Sequence, residues 1–410
     1  MMQMVHSRFN ALLSACVLSL VATAGWSQPL TWLGTPGGNM SWALGVSADG
    51  SVVVGWDLNA SWQRRAFRWT AAGGMQNLGT LGGGESDARG VSADGTVVVG
   101  AALNGAGQWR AFRWTAAGGM QNLGTLGGNE SWANSVSADG TVVVGVARDY
   151  ANQWRAFRWT VSGGMQNLGT LPGGFWSEAN GVSADGRVVV GYAYSAAGPI
   201  HAFRWTASGG MQDLGTLPGG SWSDAWGVSA DGTVVVGAAL NGAGQWRAFR
   251  WTASGGMQDL GTLGGNESWA RGVSANGTVV GSAQDAAGQR RAVRWTASGI
   301  EDLNTTYASL LTNGSVLYEA RAISPDGRYI VGYGRNAATN RNEAFLLDTR
   351  CTTHNGDVDA NGCVDDTDLL AVLFAFGQRG SNLGRVDVNC DAAVDDADLL
   401  TVLFNFGSGC

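Results

Sequence analysis

One unit of about 45 residues recurs seven times between residues 30 and 349, and this repeat restricts the possible folds more than any other feature of the chain. The segment AFRWT, whose first five copies are exact, recurs at spacings of 45, 45, 46, 46 and 44 residues and degrades to AFLLD in the seventh unit. A second segment, VSADG, also occurs seven times, twice in altered form. The marker residues are Trp69, Trp114, Trp159, Trp205, Trp251 and Trp295 for the first segment, and Val46, Val91, Val136, Val182, Val228, Val273 and Ile323 for the second.

Within each unit, short strand-like segments are separated by glycine-containing turns. The TVVVG run is typical of a strand that is buried on both faces, and the alternating aromatic residues of AFRWT are typical of a strand that packs against a neighbouring sheet. With the VSADG region and the MQNLGTL segment, they predict four strands per unit. The 65 glycines and the low share of charged residues, 14%, also favour turn-rich β structure.

Units of this length with four strands predict the blades of a β-propeller, and their number predicts seven blades in a mainly β fold. The two ends of the repeat region are complementary. Residues 30–34 match the MQNLG strand without the rest of a unit, whereas the seventh unit lacks that strand. We therefore expect the N-terminal strand to complete the last blade and close the ring. A linear β-solenoid is the alternative, but solenoids usually have a shorter period and need capping ends.

The units resemble the HAF family of bacterial extracellular repeats. The His-Ala-Phe motif that names this family occurs at residues 201–203, and the other units carry Arg-Ala-Phe or a variant. The resemblance covers residues 30–349. It implies an extracellular repeat protein and indicates no particular chemistry.

The first 24 residues have the pattern of a cleavable secretory signal. Arg8 is followed by an apolar run from Ala11 to Ala24 that contains small residues near its end. Residues 13–16 also fit a lipoprotein box in which Cys16 would carry the lipid, although the apolar run continues past that cysteine. We predict a secreted or cell-surface protein without a membrane span, since no other apolar run approaches about 20 residues.

The charge distribution argues against a nucleic-acid partner. The formal net charge is -7, and residues 351–410 hold ten aspartates and two arginines, so the repeat region is nearly neutral. Phosphate binding needs a clustered positive surface, which such a region does not indicate. We also expect the protein to be a monomer.

The last 60 residues contain two loops whose acidic residues are spaced for a hard cation. The sequence DVDANGCVDDTD (357–368) has oxygen-bearing side chains at loop positions 1, 3, 5, 9 and 12 and glycine at position 6, and DVNCDAAVDDAD (387–398) repeats the pattern with Ala392 in place of that glycine. This spacing suits Ca²⁺, which takes six to eight oxygen ligands. An apolar, helix-like segment follows each loop.

Two such loop-helix halves resemble a type I dockerin, so residues 351–410 are expected to form a small α-helical, dockerin-like domain with two Ca²⁺ sites. The resemblance implies a cohesin-like protein as a partner. It places the recognition surface on the helix after each loop, near residues 367–371 and 397–401. The implied ligands are Asp357, Asp359, Asn361, Cys363 (carbonyl), Asp365 and Asp368 in the first loop, and Asp387, Asn389, Asp391, Ala393 (carbonyl), Asp395 and Asp398 in the second.

Four cysteines lie in this tail, and an even number in a small exported domain predicts two disulfides. Three pairings are possible. We predict Cys351 with Cys410 and Cys363 with Cys390, because these bonds would join the ends of the tail and connect its halves. Cysteines inside the loops are a departure from scaffold-docking dockerins, so the tail could also be a purely structural terminal domain.

No catalytic residue is predicted, because the charged residues recur from unit to unit. The arginine of AFRWT and the aspartate of SADG are most simply structural, the aspartate holding its turn. Four glutamates, Glu85, Glu130, Glu178 and Glu267, are carboxylate candidates for glycoside hydrolysis, but we assign all four to one recurring loop, so no unique pair stands out.

The same loop carries tryptophans that have two interpretations. If the loop opens on a rim of the ring, the indoles could bind sugars or a partner protein; otherwise they pack between blades. The five residues are Trp42, Trp132, Trp176, Trp222 and Trp269.

The leading hypothesis is a secreted, non-catalytic propeller for extracellular recognition or cell-surface structure, with a cell-surface polysaccharide or a cohesin-like protein as partner. The rival is a glycoside-degrading propeller enzyme that its dockerin delivers to a scaffold. Two unlike carboxylates facing each other across the channel would favour the enzyme, and near-identical residues around the ring would favour the non-catalytic protein. The sequence does not indicate which ligand the repeats bind.

Overall fold

The computed structural model describes residues 30–196, 198–349, 354–359, 361–379, 383–389 and 393–410. The predicted signal sequence, with Cys16, lies outside these residues, as do Cys351, Cys390, Asp391 and Ala392. The chain divides into two compact units, one of which spans Pro29–Arg350 and the other of which includes Cys351–Cys410.

The first unit is a seven-bladed β-propeller, and each blade is a four-stranded antiparallel sheet. This confirms the predicted number of blades and of strands per blade. Blades one to three comprise β2 (Ser41–Val46), β3 (Val53–Leu58), β4 (Arg64–Thr70) and β5 (Gly74–Asn77); β6 (Gly82–Val91), β7 (Val98–Asn104), β8 (Trp109–Thr115) and β9 (Gly119–Asn122); and β10 (Gly127–Val136), β11 (Val142–Asp149), β12 (Trp154–Thr160) and β13 (Gly164–Asn167).

The remaining blades follow the same order from the inner to the outer strand. Blades four to seven comprise β14 (Ser177–Val182), β15 (Val188–Tyr194), β16 (Ile200–Thr206) and β17 (Gly210–Asp213); β18 (Ser223–Val228), β19 (Val234–Leu240), β20 (Trp246–Thr252) and β21 (Gly256–Asp259); β22 (Gly264–Val273), β23 (Val279–Asp285), β24 (Arg290–Thr296) and β25 (Gly299–Asp302); and β26 (Val316–Ile323), β27 (Tyr329–Asn336), β28 (Arg341–Asp348) and β1 (Leu30–Trp32). A short helix, α1 (Leu303–Thr306), connects the sixth blade to the seventh.

The N-terminal strand closes the ring, as the complementary chain ends predict. Strand β1 pairs antiparallel with β28, with Leu30 opposite Leu347. A buried serine adds a second connection at this junction. The Ser41 hydroxyl donates to the Gly34 carbonyl at 2.6 Å and accepts from the Ala344 amide at 2.9 Å. The N-terminal strand is therefore held in the last blade by a strand pair, and the buried side chain of Ser41 joins the first blade to the last.

The two repeated sequence motifs supply the core of each blade. Phe67 of AFRWT is fully buried and lies opposite Gly55, the glycine that ends the valine run. A Cβ atom at Gly55 would overlap the carbonyl oxygen of Trp42 and crowd the Phe67 ring. The glycine is therefore required where the inner strand and the aromatic ring approach the second strand most closely.

The repeated charged residues have structural roles, as the sequence indicates. In the second blade's SADG turn, Asp94 accepts from the Ser92 hydroxyl at 2.6 Å and from the Thr96 amide at 3.0 Å. The arginine of the AFRWT segment reaches the same turn of the next blade. Arg158 donates to the Gly186 carbonyl at 3.1 Å. Framework contacts of this kind recur around the ring and explain the recurrence of both residue types.

The tail contains two helices, α2 (Asp366–Ala375) and α3 (Asp396–Phe404), each of which begins directly after one of the acidic loops. A small valine core joins the two halves, and its members occur in pairs 30 residues apart. These pairs are Val358 with Val388, Val364 with Val394, and Val372 with Val402.

The predicted disulfide pairing is wrong, because Cys363 is bonded to Cys410. The C-terminus folds back along the first acidic loop: the Val364 amide donates to the Ser408 carbonyl at 3.0 Å, and the Gly407 amide donates to the Val364 carbonyl at 2.8 Å. These bonds bring Cys410 to position 7 of the loop. Sequence spacing does not reveal this return of the chain. Cys351 and Cys390 lie outside the described residues.

Candidate functional site

The propeller surrounds an axial channel in which the repeat symmetry is broken. A cavity of about 350 Å³ in this channel is lined by the inner strands of all seven blades. One residue of each inner strand projects into it, and we call this place in the repeat the channel position. From blade one to blade seven it is occupied by Leu44, Arg89, Asn134, Asn180, Trp226, Arg271 and Arg321.

A β-bulge positions every one of these side chains. In the first blade Ala43 pairs with Gly55 and Gly45 pairs with Val54, so Leu44 is the extra, unpaired residue. The same register shift occurs in the other six blades at the equivalent residue. A bulge changes the direction of a side chain without interrupting the sheet on either side. Sheet packing therefore restricts the residue type at the channel position less than it restricts the residue types on either side.

Hydrogen bonds connect the channel residues to acidic residues of the following blade. These acids lie two residues before the channel position. Asn134 donates to Glu178 at 3.0 Å, Asn180 donates to Asp224 at 3.1 Å, and Arg271 donates to Glu319 at 2.6 Å. A polar network thus passes from blade to blade around much of the channel.

In three blades the place of the acid is taken by a tryptophan, so the preceding channel residue has no acceptor there. Arg89, which precedes Trp132, turns back to Asp87 of its own blade at 2.9 Å and also donates to Asn134 at 2.7 Å. Trp226, which precedes Trp269, similarly donates its indole N–H to Asp224 of its own blade at 2.6 Å. The third case is Arg321, which precedes Trp42.

The carboxyl groups of the network have opposite electrostatic environments. Burial, followed by the nearby charge of Glu178, raises the pKa of Asp224 to about 8. Burial would also raise the pKa of Glu319, but the charges of Arg271, Arg321 and Arg290 outweigh it and hold that pKa below its ordinary value. Asp224 is therefore predominantly protonated at neutral pH, whereas Glu319 is ionised.

The assignment of four glutamates to one recurring loop is wrong for Glu178. Glu85, Glu130 and Glu267 precede the buried serine of their inner strands, and each contacts a polar side chain of its own repeat or the preceding one. Glu178 follows that serine and belongs to the channel network, where Tyr192 donates to it at 2.8 Å. The loop before it is one residue longer, and this difference obscures the alignment.

The predicted rim tryptophans also fall into two groups. Trp42, Trp132 and Trp269 are the ones that replace the acid two residues before the channel position, whereas Trp176 and Trp222 lie one residue before the buried serine. Trp42 stacks on Tyr333 of the seventh blade, with ring centroids 4.1 Å apart and planes 5° apart.

Contacts differ among the other four tryptophans. Trp132 lies 6.1 Å from Trp109 of the second blade and 5.0 Å from Trp154 of its own. Trp42 and Trp132 therefore pack between blades. The guanidinium of Arg290 lies 4.6 Å from the Trp269 ring, Trp176 is 5.8 Å from Tyr194, and Trp222 is 39% exposed.

The first acidic loop of the tail brings three predicted ligands together. The carboxylates of Asp357, Asp359 and Asp368 offer oxygen atoms that lie within 4.8 Å of one another. Asp368 is fully buried and accepts backbone N–H bonds from Val358 at 2.6 Å, Asp359 at 3.1 Å and Asp365 at 2.9 Å. Burial opposes ionisation of Asp368, but these donors outweigh it and lower its pKa.

The other predicted ligands shape the same loop. Asp365 caps helix α2 by accepting from the Thr367 amide at 2.8 Å, and Asn361 accepts from the Cys363 amide at 2.7 Å. Gly362 has a φ of 89°, a conformation that favours glycine and that allows the loop to bend at position 6.

The second loop repeats the buried carboxylate. Asp398 is fully buried and accepts from the Val388 amide at 2.6 Å, the Asn389 amide at 3.0 Å and the Asp395 amide at 2.9 Å. Asp395 caps helix α3 through the Ala397 amide at 2.9 Å, and Asp387 is 6% exposed. Ala393 occupies position 7 of this loop, and Asp391 lies outside the described residues.

Sequence reasoning did not single out the channel position. Its seven occupants are of four residue types, so they do not form a motif that recurs in every unit. The usable signal was the contrast between this variable position and the invariant residues beside it.

No family model matches this chain, and no curated protein matches it. Among solved structures, the chain is similar to an oligogalacturonate lyase from Vibrio parahaemolyticus at 9% identity and a TM-score of 0.50, covering 78% of this chain and 93% of that one. It is also similar to the β-propeller domain of the trilobed protease from Pyrococcus furiosus (10%, TM-score 0.48, covering 76% and 96%) and to a putative TolB from Agrobacterium tumefaciens (14%, TM-score 0.42, covering 68% and 94%). Such low identities show the propeller fold alone. Within the described residues, no helix has the length and apolar character of a membrane span.

Proposed function

We propose that this chain is a secreted, non-catalytic protein of the HAF-repeat type, in which the propeller recognises an extracellular ligand at its axial channel and a dockerin-like tail binds two Ca²⁺ ions. One observation carries the recognition proposal: the framework residues repeat around the ring, but the seven bulged residues that project into the channel are of four types, namely one leucine, one tryptophan, two asparagines and three arginines. A position that the fold exposes and leaves free to vary is suited to selecting a ligand.

The recognition proposal is tested by measuring binding of the full chain to immobilised cell-surface polysaccharides. We expect retention of at least one polysaccharide and loss of that retention when Asn180 and Trp226 are both replaced by alanine. Replacing Trp222 and Phe175, which are exposed outside the channel lining, serves as the matched control. Retention that follows the control pair instead of the channel pair contradicts a channel site.

The calcium proposal rests on the clustered carboxylates of the first loop and on the shared pattern of backbone donors at Asp368 and Asp398. In each carboxylate Oδ1 accepts two backbone N–H bonds and Oδ2 accepts one, so Oδ2 keeps a lone pair for a cation that prefers oxygen ligands. The proposed ligands are those named from the sequence, and two ions are expected per chain.

Calorimetric titration of the full chain with CaCl₂ tests this proposal. We expect two binding events, of which Asp368→Asn removes one. Asp366→Asn is the matched control, because it changes an adjacent exposed aspartate in the first turn of helix α2 that is outside the proposed ligand set. Absence of calcium-dependent heat, or an equal effect of both substitutions, contradicts the assignment.

A cohesin-like protein is the proposed partner of the tail. Support comes from apolar side chains that each tail helix leaves exposed in equivalent places. They are Leu370 (50%), Phe374 (85%), Leu400 (47%) and Phe404 (83%). Exposed apolar groups arranged in this way are typical of interaction surfaces. Calcium-dependent binding of cohesins by the full chain, lost in Leu370→Asp and retained in Arg379→Ala, is the expected result; its absence leaves the tail as a structural domain.

The alternative proposal is a glycoside hydrolase. It is favoured by two unlike carboxyl groups from adjacent blades, since Asp224 has a raised pKa suited to a general acid and Glu178 lies close enough to affect it. Against it, Asn180 and Trp226 already hold the two oxygens of Asp224. Release of reducing sugars from a polysaccharide, abolished by Asp224→Asn, would support the enzyme and contradict the non-catalytic proposal.

A further inference from the structure

We propose that the channel binds a ligand carboxylate beside blades six and seven, held by the guanidinium groups of Arg271 and Arg321. The ligand class is a small organic acid, either free or as the terminal acidic sugar of a glycan. This inference rests on the proposed recognition function, of which it names the ligand chemistry.

The repeated network identifies the place where an acceptor is missing. At three junctions the channel residue donates to an acid of the next blade, as Asn134 does to Glu178. Where a tryptophan replaces that acid, Arg89 and Trp226 instead donate to the acids of their own blades. Arg321 faces Trp42 and does neither, because no hydrogen bond joins it to any described residue.

The acid of its own blade is already occupied. Glu319 accepts from Arg271 at 2.6 Å through one oxygen, and from Arg290 at 3.2 Å and Tyr333 at 3.3 Å through the other. Arg321 Nε lies 3.3 Å from a Glu319 oxygen as an ion pair, and this nitrogen is buried without a hydrogen-bond acceptor. Three arginines therefore share one carboxylate.

The resulting local charge favours an anion. Burial lowers the pKa of Arg321, and Arg271 and Arg290 lower it further against the opposing charge of Glu319. The pKa of an arginine is nevertheless so high that the group stays protonated. Two positive charges thus remain uncompensated in a partly buried place, and a ligand anion would relieve this repulsion.

The shape of the site favours a carboxylate on a small, flat or ring-shaped molecule. A guanidinium presents its donors as a planar fork that matches a carboxylate, and two forks from adjacent blades can share its oxygens. Aromatic rings flank both: the Arg271 guanidinium lies 3.7 Å from the centroid of Trp226, and that of Arg321 lies 5.1 Å from the centroid of Trp42. These rings hold the two guanidinium planes in position.

The cavity size agrees with this class of ligand. A volume of about 350 Å³ is at the small end of ligand pockets. The other acidic residues of the network already accept hydrogen bonds from neighbouring side chains. Asp224, for example, accepts from Asn180 and Trp226. A carboxylate is therefore expected to orient toward blades six and seven.

Calorimetric titration of the full chain with glucuronate, glucose, succinate and inorganic phosphate tests the inference. We expect glucuronate to bind with a dissociation constant at or below the millimolar range, and glucose, which has the same ring without the acid, not to bind. Arg321→Gln should weaken glucuronate about ten- to hundredfold, the effect of losing a charge-assisted bond. Arg321→Lys retains the positive charge but not the planar pair of donors, so its affinity for glucuronate should lie between those of the unmodified protein and of Arg321→Gln.

Stability measurements make the variants interpretable. Because Arg321 makes no hydrogen bond to the described residues and is repelled by its neighbours, Arg321→Gln should unfold at a temperature equal to or above that of the unmodified protein. Arg328→Gln is the matched control: this arginine lies between strands β26 and β27 of blade seven, outside the channel lining, and the substitution removes its bond to Asp348, so it should lower stability but leave glucuronate binding within about twofold.

The remaining outcomes separate this inference from the proposed function. Binding of succinate with glucuronate supports the carboxylate site and assigns a free acid as the ligand, whereas glucuronate without succinate assigns an acidic sugar. Glucose binding equal to that of glucuronate, phosphate binding without either acid, or no binding of any probe overturns the inference. If the protein retains a polysaccharide and Arg321→Gln does not change that retention, the carboxylate site is refuted but the proposed recognition function is not. If glucuronate binding depends on Arg321 but no polysaccharide is retained, the carboxylate site stands and only the choice of a polysaccharide as ligand is refuted.

Discussion

Replacing Glu319 with glutamine should destabilise the propeller far more than replacing a glutamate in a surface ion pair. Glu319 is fully buried and has ion pairs with Arg271 at 2.6 Å, Arg290 at 3.2 Å and Arg321 at 3.3 Å. Removing one partner of a buried ion pair costs roughly 3–5 kcal/mol, because the remaining charges are left uncompensated. Since the arginine side chains are 19–40% exposed and solvent screens them, we expect the lower end, about 3 kcal/mol.

The assay is urea-induced unfolding followed by tryptophan fluorescence. Glu130→Gln is the matched control, because Glu130 has a single ion pair with Arg148 at 3.0 Å near the surface, and such pairs are worth below about 1 kcal/mol. An effect of Glu319→Gln no larger than that of Glu130→Gln would refute the assignment of Glu319 as the charge that holds three arginines together.

The pH dependence provides a second check with a definite sign. The folded-state pKa of Glu319 lies below its ordinary value, so its ionised form stabilises the fold. That contribution is fully present above the unfolded-state pKa of about 4.3 and is lost as the pH falls through the folded-state pKa. The stability difference between the unmodified protein and Glu319→Gln should thus be largest at neutral pH and shrink in acid. A difference that does not change with pH contradicts the electrostatic explanation.

Three further predictions follow from the same contacts. Asp224, whose pKa is raised to about 8, should make the protein less stable as the pH rises from about 4 to 8, and Asp224→Asn should remove that slope in pH-dependent unfolding. Ser41→Ala leaves the Ala344 amide and the Gly34 carbonyl without their buried partner, so it should cost about 1–3 kcal/mol in urea unfolding, and Ser51→Ala should cost less. Reduction of the Cys363–Cys410 bond should lower the calorimetric unfolding temperature of the tail but leave that of the propeller unchanged.

The fold was predictable because the features that define it are repeated. Phe67, the facing Gly55 and the SADG turn each satisfy a packing or hydrogen-bonding requirement that every blade shares, so recurrence in the sequence reports them directly. Ring closure was predictable from residues 30–34, which match a strand that the seventh unit lacks. In both cases local pattern and global topology agree, which is typical of a foldable sequence.

The candidate site was less predictable for two physical reasons. Because two of the loops are one residue longer than the others, Glu178, Trp176 and Trp222 were aligned with residues that are not equivalent to them, and side chains on a strand change face with every residue. The disulfide depends on a contact between the C-terminus and the first acidic loop, which Val364 makes through its backbone. Backbone hydrogen bonds of this kind place no requirement on the side chain and therefore leave no mark on the sequence.

The bulge at the channel position connects these observations. In a regular strand, the residues that pack against the neighbouring blade meet the same surroundings in every unit. The core therefore favours the same residue at each of these positions. A bulged residue is unpaired and projects into the channel, so Leu44, Arg89, Asn180 and Arg321 can differ without disturbing the valine and phenylalanine layers beside them. In a propeller built from near-identical units, the residues best placed to select a ligand are consequently those that do not repeat. Arg321 is an example: its guanidinium has an ion pair with Glu319 but no hydrogen-bond acceptor among the described residues, and a ligand carboxylate in the channel would provide one.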